Sequence, residues 1–425
     1  MKIIIVGAGI GGLSLALMLR QRGIECDIYE SVRALKPLGV GINLLPHAVA
    51  ELAQIGLLDG LRAGAVATSA LHYYNLHGQP IWQEPRGLAA GYSVPQLSIH
   101  RGELQLHLAA AVRDRLGPDR LHTGMAFESL EQDGAGVTAR FRNRADGSLS
   151  TVRADALVGA DGIHSAVRLC LHPHAGAPRF SGRMLWRAIT PALPYLDGRT
   201  MFMAGHQDQK FVAYPISAPD ADGLVRINWI AELSVPDGKP PASDWNRQVD
   251  KAAFAAAFDT WRWDWIDIPA LIDAAPTIYE FPLVDKDPLS CWTQGRATLL
   301  GDAAHPMYPI GSNGSAQAIL DARCAADCLS AAMEGRTPSL ELALREYEAE
   351  RIPPTTGIVL RNRLNGPEQV MQLAHQRAPQ GFAHVHDVIS REELEATAMR
   401  YKRLAGFDPE RLHAASATQT GATQP

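Results

Sequence analysis

The chain opens with a β-branched run, Lys2–Val6, that shows no polar alternation and stops at Gly7. Such a run reads as a strand buried on both faces, the habit of parallel sheets. Over residues 13–22 apolar positions recur at helical spacing, which predicts a helix lying on a sheet. A second strand is predicted from Glu25 to Tyr29. The strand-then-turn pattern returns twice: 156–158 runs into Asp161-Gly162, with Ser165 placed as a helix N-cap, and 297–300 runs into Gly301-Asp302 ahead of a long helix over 316–333. The texture changes between those two turns. Residues 184–189, 200–203, 211–216 and 225–230 read as half-buried strands separated by turn clusters, an antiparallel sheet. The pattern predicts an α/β protein in which a Rossmann-type domain carries an inserted antiparallel β-sheet domain and ends in a helical C-terminal segment. The boundaries read from it are 1–175 (with a β excursion at 70–100) and 286–365 for the nucleotide part, and 176–285 for the inserted sheet. A helical extension follows over 366–413, then a tail at 414–425 expected to be disordered.

The first turn is Gly7-x-Gly9-x-x-Gly12. There Gly7 makes the tight turn, Gly9 lets a pyrophosphate approach the backbone, and Gly12 lets helix and strand pack closely. The helix start then offers free N–H groups and a partial positive charge to phosphate. The second strand ends in Glu30, placed to accept hydrogen bonds from ribose hydroxyls and to disfavour a 2′-phosphate. FAD or NAD is therefore the expected tightly held nucleotide. In the third turn Asp302 is placed for a ribityl hydroxyl, and the loop 311–315 leads into a helix whose first N–H groups suit an electron-rich flavin edge.

These motifs, GAGIGG with Glu30, ALVGADGIHSAVR, and LLGDAAHPMYPIGSNGSAQAILDA, resemble those of the single-component FAD-dependent aromatic hydroxylases with the 4-hydroxybenzoate hydroxylase fold. The resemblance covers about residues 1–365 and is nearest to the phenazine monooxygenases, through Pro37 to Asn43, Gln96 to Gln105 and Val212 to Ser217. It implies an enzyme in which NADH or NADPH, docking transiently, reduces FAD. O2 then forms a C4a-hydroperoxyflavin that hydroxylates an aromatic or heteroaromatic ring, phenazine-like and in some cases carboxylated. It also implies that FAD is held by Gly7, Gly9, Gly12, Glu30, Ser31, Val40, Gly41, Arg101, Phe127, Asp161, Gly162, Asp302, Gly311, Gly314 and Ser315. Pro309 would lend a carbonyl to a substrate hydroxyl, and His305 is a candidate base. In the inserted sheet, Trp186, Tyr214 and Trp229 are candidates for stacking on the substrate. Arg187 or Arg226 is the candidate partner for a carboxylate. The extension after Asn365 departs from the family pattern and is expected over the mouth of the site. A flavin oxidase, reductase or decarboxylative hydroxylase on the same fold is the alternative enzyme. A non-catalytic binding protein of the GDP-dissociation-inhibitor type is the alternative from another class. Trp263-x-Trp265 misses the flavin halogenase spacing by one residue and is expected to be helix-end packing.

Composition changes little. Net charge is −5 over 425 residues, so nucleic acid is not an expected partner. Five cysteines without framework spacing fit a reducing cytoplasm, and no metal site is expected from Cys324 and Cys328. The N-terminal apolar run is too short for a signal or a membrane span. A monomer or homodimer is expected.

Overall fold

The computed structural model describes residues 1–235 and 247–406. Its parallel sheet runs in the order Ala297–Leu299, Ala156–Gly159, Lys2–Val6, Glu25–Glu30, Leu121–Thr123. Parallel strands put equivalent ends side by side, so the three glycine turns leave neighbouring strands at one edge. That is how motifs far apart in sequence meet. The helices Ile10–Gln21 and Gly314–Met333 pack against each other beside this sheet, around Ile3, Ile5, Leu13 and Ile319. Both begin earlier than apolar spacing suggests. Gly9 is extended and takes the N-cap position, which draws Gly11 and Gly12 into the first turn, and Asn313 takes the same position for the longer helix.

The second large sheet has seven strands, in the order Tyr279–Asp285, Arg179–Ala192, Val225–Ser234, Gln209–Pro215, Thr200–His206, Ala70–Tyr74, Pro80–Pro85. The last two come from the 70–100 excursion, so that segment extends the inserted sheet instead of staying with the nucleotide part. The expectation of half-buried strands also needs correction, because both faces are covered. One face lies on an aromatic cluster that includes Phe254, Phe258 and Trp261. The other lies partly on the C-terminal extension through Val370, Met371, Ala374 and Leu394. Residues 261–267 stand at the start of a helix. They form a small hairpin, Arg262–Trp263 with Ile266–Asp267, whose tryptophans pack beneath the sheet against Tyr74 and Phe202 before the helix Ile268–Asp273.

The extension contains the helices Gln369–Arg377 and Arg391–Ala405. The tail expected at 414–425 lies outside the described residues. Among those described, no helix is long and apolar enough to cross a membrane.

Candidate functional site

The first turn is built for close approach. A Cβ on Gly12 would stand 2.1 Å from the Gly7 carbonyl oxygen, and one on Gly7 would stand 2.5 Å from that of Ala160. Only glycines let the Asp-Gly turn, the first strand and the first helix converge here. Gly9, Gly11, Ala160, Gly162 and Gly301 then line a groove of about 110 Å³. The helix start facing it has no side-chain cap, so its N–H groups stay free for a ligand.

Around this groove the expected residues divide by what they touch. Glu30 accepts from the Ala8 N–H at 2.8 Å and from the Val32 N–H at 2.9 Å, so its carboxylate sits at the lip of the glycine turn. Ser31 donates to the same carboxylate at 3.1 Å. Phe127 lies edge-on to Phe141, which stacks on Tyr29 at 4.2 Å, placing it behind the end of the second strand. Val40 is buried, and its carbonyl accepts from the Arg101 N–H at 3.0 Å; it positions Arg101 and does not line the groove. The Asp161 carboxylate is engaged elsewhere. It accepts from Ser165 Oγ at 2.5 Å and from the Ala166 N–H at 2.7 Å, capping the helix Ala166–Leu171. Burial lifts its carboxyl above the ordinary value against those hydrogen bonds.

Arg101, Asp302, Gly314 and Ser315 line this groove and also a larger cavity of about 230 Å³, so the two spaces are continuous. Arg101 makes no ion pair among the described residues and is open to the groove. Asp302 lies deep among protein atoms, which raises its carboxyl against the pull of His305 and Arg101, yet its side chain faces open space. The donors and the glycine cradle fit a bound FAD.

The larger cavity has the seven-stranded sheet as its floor. Register places Arg187, Ile230, Val212 and Met203 in one row across four strands, with Tyr214 two residues beyond Val212 and Lys210 two residues before it. Strand side chains alternate, and this alternation overturns two expectations. Trp186 and Trp229 point to the far face. There Trp186 stacks on Phe254 at 4.8 Å, and the Trp229 ring N–H donates to Thr190 at 2.9 Å. Tyr214 and Arg187 line the cavity. Tyr214 O–H and an Arg187 N–H both donate to the Gly41 carbonyl, at 2.8 and 3.2 Å, and the Gly41 N–H donates to Asn228 at 2.7 Å. Gly41 thus ties the two parts of the molecule together. Burial pushes the Tyr214 hydroxyl up to about 12 against the pull of Arg187, and it draws Arg187 below its usual value. Arg187 has no carboxylate partner among the described residues, and its Nε is buried without a hydrogen bond. Arg226 is already occupied by a two-pronged pair with Glu103 at 2.6 and 3.0 Å.

On the other wall Pro309 reaches the cavity, its carbonyl accepting from the Ser312 N–H at 3.2 Å with a second lone pair free. His305 does not reach it. The turn Gly301–Ala303 sends Asp302 outward and the following residues inward, where His305 Nε2 meets the Asp321 carboxylate at 2.5 Å and the ring lies beside Trp292. Gly311 needs its positive φ of 70°, and a Cβ there would stand 2.3 Å from the Tyr401 hydroxyl of the C-terminal helix. Gly311 therefore shapes the loop without lining the cavity.

Three residues take positioning roles that the motifs did not assign. Asp321 accepts from the Gly301 N–H at 3.0 Å and from Arg351 at 2.7 Å, fixing the turn that carries Asp302. An acid on the buried face of an alanine-rich helix was its signal. Arg168 donates to the carbonyls of Ala303 and Ala304, joining the second motif to the third. Tyr401 O–H donates to the Ile310 carbonyl and accepts from Asn313, supporting the loop from behind.

Known proteins agree with this geometry. The model of the FAD binding domain family matches residues 1–362. A phenazine 1,6-dicarboxylic acid hydroxylase, PhzS of Lysobacter antibioticus, is 44% identical over 85% of this chain and 89% of its own. A 6-hydroxynicotinate 3-monooxygenase of Pseudomonas fluorescens is 32% identical over 82% of this chain and 87% of its own. Klebsiella pneumoniae HpxO, solved with FAD and uric acid, superposes with a TM-score of 0.73 at 26% identity, covering 97% of this chain and 96% of its own. Glycine cradle, open helix start and continuous cavity, taken with these likenesses, place the chain in the FAD binding domain family as an FAD-dependent aromatic monooxygenase.

Proposed function

We propose that the chain hydroxylates a planar, fused heteroaromatic acid of the phenazine carboxylate kind. The observation that carries this reading is the cavity floor. Ile230, Val212 and Met203 offer a flat apolar surface, and beside them stands Arg187, a cation deep in the molecule without a carboxylate of its own. Such a charge is costly unless a ligand pairs with it. The aromatic ring lies on the apolar row, and its carboxylate meets Arg187. Tyr214 orients the Arg187 guanidinium through their shared acceptor, the Gly41 carbonyl. A substrate hydroxyl near the opposite wall donates to Pro309. The name of the Lysobacter relative, which specifies a phenazine dicarboxylic acid, and that of the Pseudomonas relative, which specifies a pyridine acid, support this substrate class.

When bound, FAD supplies the redox chemistry, taking a hydride from NADH or NADPH and activating O2 for insertion at an aromatic C–H bond. The protein binds and orients. The start of the helix Ile10–Gln21 and Gly9 hold the pyrophosphate, Glu30 the ribose, Arg101 and Asp302 the ribityl region, and the N–H groups of Gly314 and Ser315 the ring edge. The test is NADH or NADPH oxidation by the yellow holoenzyme, with O2 uptake and product mass followed for phenazine-1-carboxylate. Stimulated oxidation with a product heavier by one oxygen supports the proposal. Oxidation with no change in the aromatic overturns it.

A further inference from the structure

At the end of the cavity away from Tyr214, the floor becomes charged. Lys210 lies on the strand face four residues before Tyr214, ~13 Å away along the strand, room for a fused ring system with a polar group at each end. Its ammonium meets Glu232 at 2.9 Å and Glu368 at 2.5 Å, and Glu232 is held in turn by Arg183 at 2.7 Å. All four side chains are buried, and Lys210, Glu232 and Glu368 line the cavity. Glu368 belongs to the turn Gly366–Glu368, beyond the residues matched by the family model.

This end carries two cations and two carboxylates, so its charges cancel. The Arg187 end carries a cation alone. Both Glu232 oxygens are engaged, by Arg183 and by Lys210, whereas Glu368 has Lys210 as its charged partner. A second anion arriving here meets the Glu368 carboxylate, and no cation is left without a counter-charge to receive it. A neutral donor or acceptor, such as a hydroxyl, carbonyl or ring nitrogen, can join the network without upsetting the balance. We propose that Glu368, through its pair with Lys210, is a specificity-determining residue that selects aromatic monocarboxylates with an uncharged far end over dicarboxylates. The inference rests on the substrate class proposed above.

The probes are phenazine-1-carboxylate and phenazine-1,6-dicarboxylate, titrated into the holoenzyme while flavin absorbance is followed. Burial pushes the Glu368 carboxyl up against the pull of Lys210, so the titration is repeated from neutral to alkaline pH. The wild-type protein should bind the monocarboxylate at least tenfold more tightly. Glu368→Gln, which keeps the shape and removes the negative charge, should shift that ratio about tenfold toward the dicarboxylate, with flavin content retained. Equal or tighter binding of the dicarboxylate by the wild type overturns the inference, even if the variant fails to fold. A ratio unchanged in a folded Glu368→Gln protein overturns it as well. If neither acid perturbs the flavin, the substrate class itself is wrong, and the inference falls with it.

Discussion

Replacing Arg187 by methionine should separate what the residue does for a ligand from what it does for the fold. In the free protein the guanidinium donates to the Gly41 carbonyl and stands over the Phe281 ring at 5.9 Å, with no carboxylate beside it among the described residues. The Gly41 carbonyl keeps its bond from Tyr214 at 2.8 Å after the change, so no backbone acceptor is orphaned. Methionine fills much of the volume and removes a desolvated charge, so stability should change by less than ~1 kcal/mol and in the favourable direction if it moves. Binding is a different matter. A guanidinium and a carboxylate about 4 Å apart interact by ~4 kcal/mol at an effective dielectric near 20, and desolvation of the ligand anion reduces this to roughly 2–3 kcal/mol. The expected outcome is a 30- to 150-fold weaker dissociation constant for phenazine-1-carboxylate, since each ~1.4 kcal/mol is tenfold. Affinity for uncharged phenazine should stay within about threefold. Flavin absorbance titrations give both constants, and urea unfolding gives the stability. Equal losses for the acid and the neutral ring would refute the assignment of Arg187 to the carboxylate. A loss of several kcal/mol in stability would show that it is part of the fold's own framework.

Three further outcomes follow from the same geometry. Glu30→Ala removes the acceptor of the Ala8 and Val32 N–H groups, and should weaken FAD by roughly 10- to 100-fold, read from flavin fluorescence on dilution. Gly12→Ala sets a Cβ against the Gly7 carbonyl, a backbone atom that cannot swing aside, so the protein should purify without flavin, whereas Gly64→Ala, which meets nothing within 4 Å, should stay yellow. Burial would raise the Asp321 carboxyl, but His305 and Arg351 outweigh it and hold the group at about 2, against an ordinary 3.8. A depressed carboxyl stabilises the fold above its unfolded value and loses that contribution as pH falls through the folded one, so ~2 kcal/mol should disappear between about pH 4 and pH 2. Asp321→Asn should flatten that part of the stability profile and cost roughly 3 kcal/mol at neutral pH, measured by denaturant unfolding.

The nucleotide part was legible because its signals are local. A β-branched run closed by glycine, such as Ile3 to Val6, reads as a buried strand, and the three glycine turns sit where the parallel order brings them together. The cavity was legible by halves. That strands occupy 184–189 and 211–216 follows from composition, but which face each side chain takes depends on what covers the sheet. Trp186 and Trp229 carry the chemistry expected of a stacking platform, and both went to the aromatic cluster behind it. Arg187 and Tyr214, one residue and one strand away, took the cavity side. Alternation could not arbitrate because both faces are buried, so polar positions no longer mark solvent. His305 and Asp302 show the same limit at a turn, three residues apart and pointing in opposite directions. The contributions of Glu368 and Tyr401 were beyond reach of local pattern, since each depends on where a C-terminal segment folds back.

The path of the chain has a consequence for how this enzyme can be taken apart. It enters the seven-stranded sheet at Ala70–Tyr74, returns to the nucleotide part by the helix Arg101–Leu116, and crosses again for Arg179–Ala192. It comes back at Ala297–Leu299, and it finally lays its last helices against the sheet it had left. Neither sheet can complete itself from a contiguous length of polypeptide, so the ribosome must release nearly the whole chain before either core can close. Folding should be slow, dominated by pairings between distant residues. The cavity floor cannot be moved between relatives as a cassette. New specificities on this scaffold would have to arise by exchanging individual side chains along the rows of that floor.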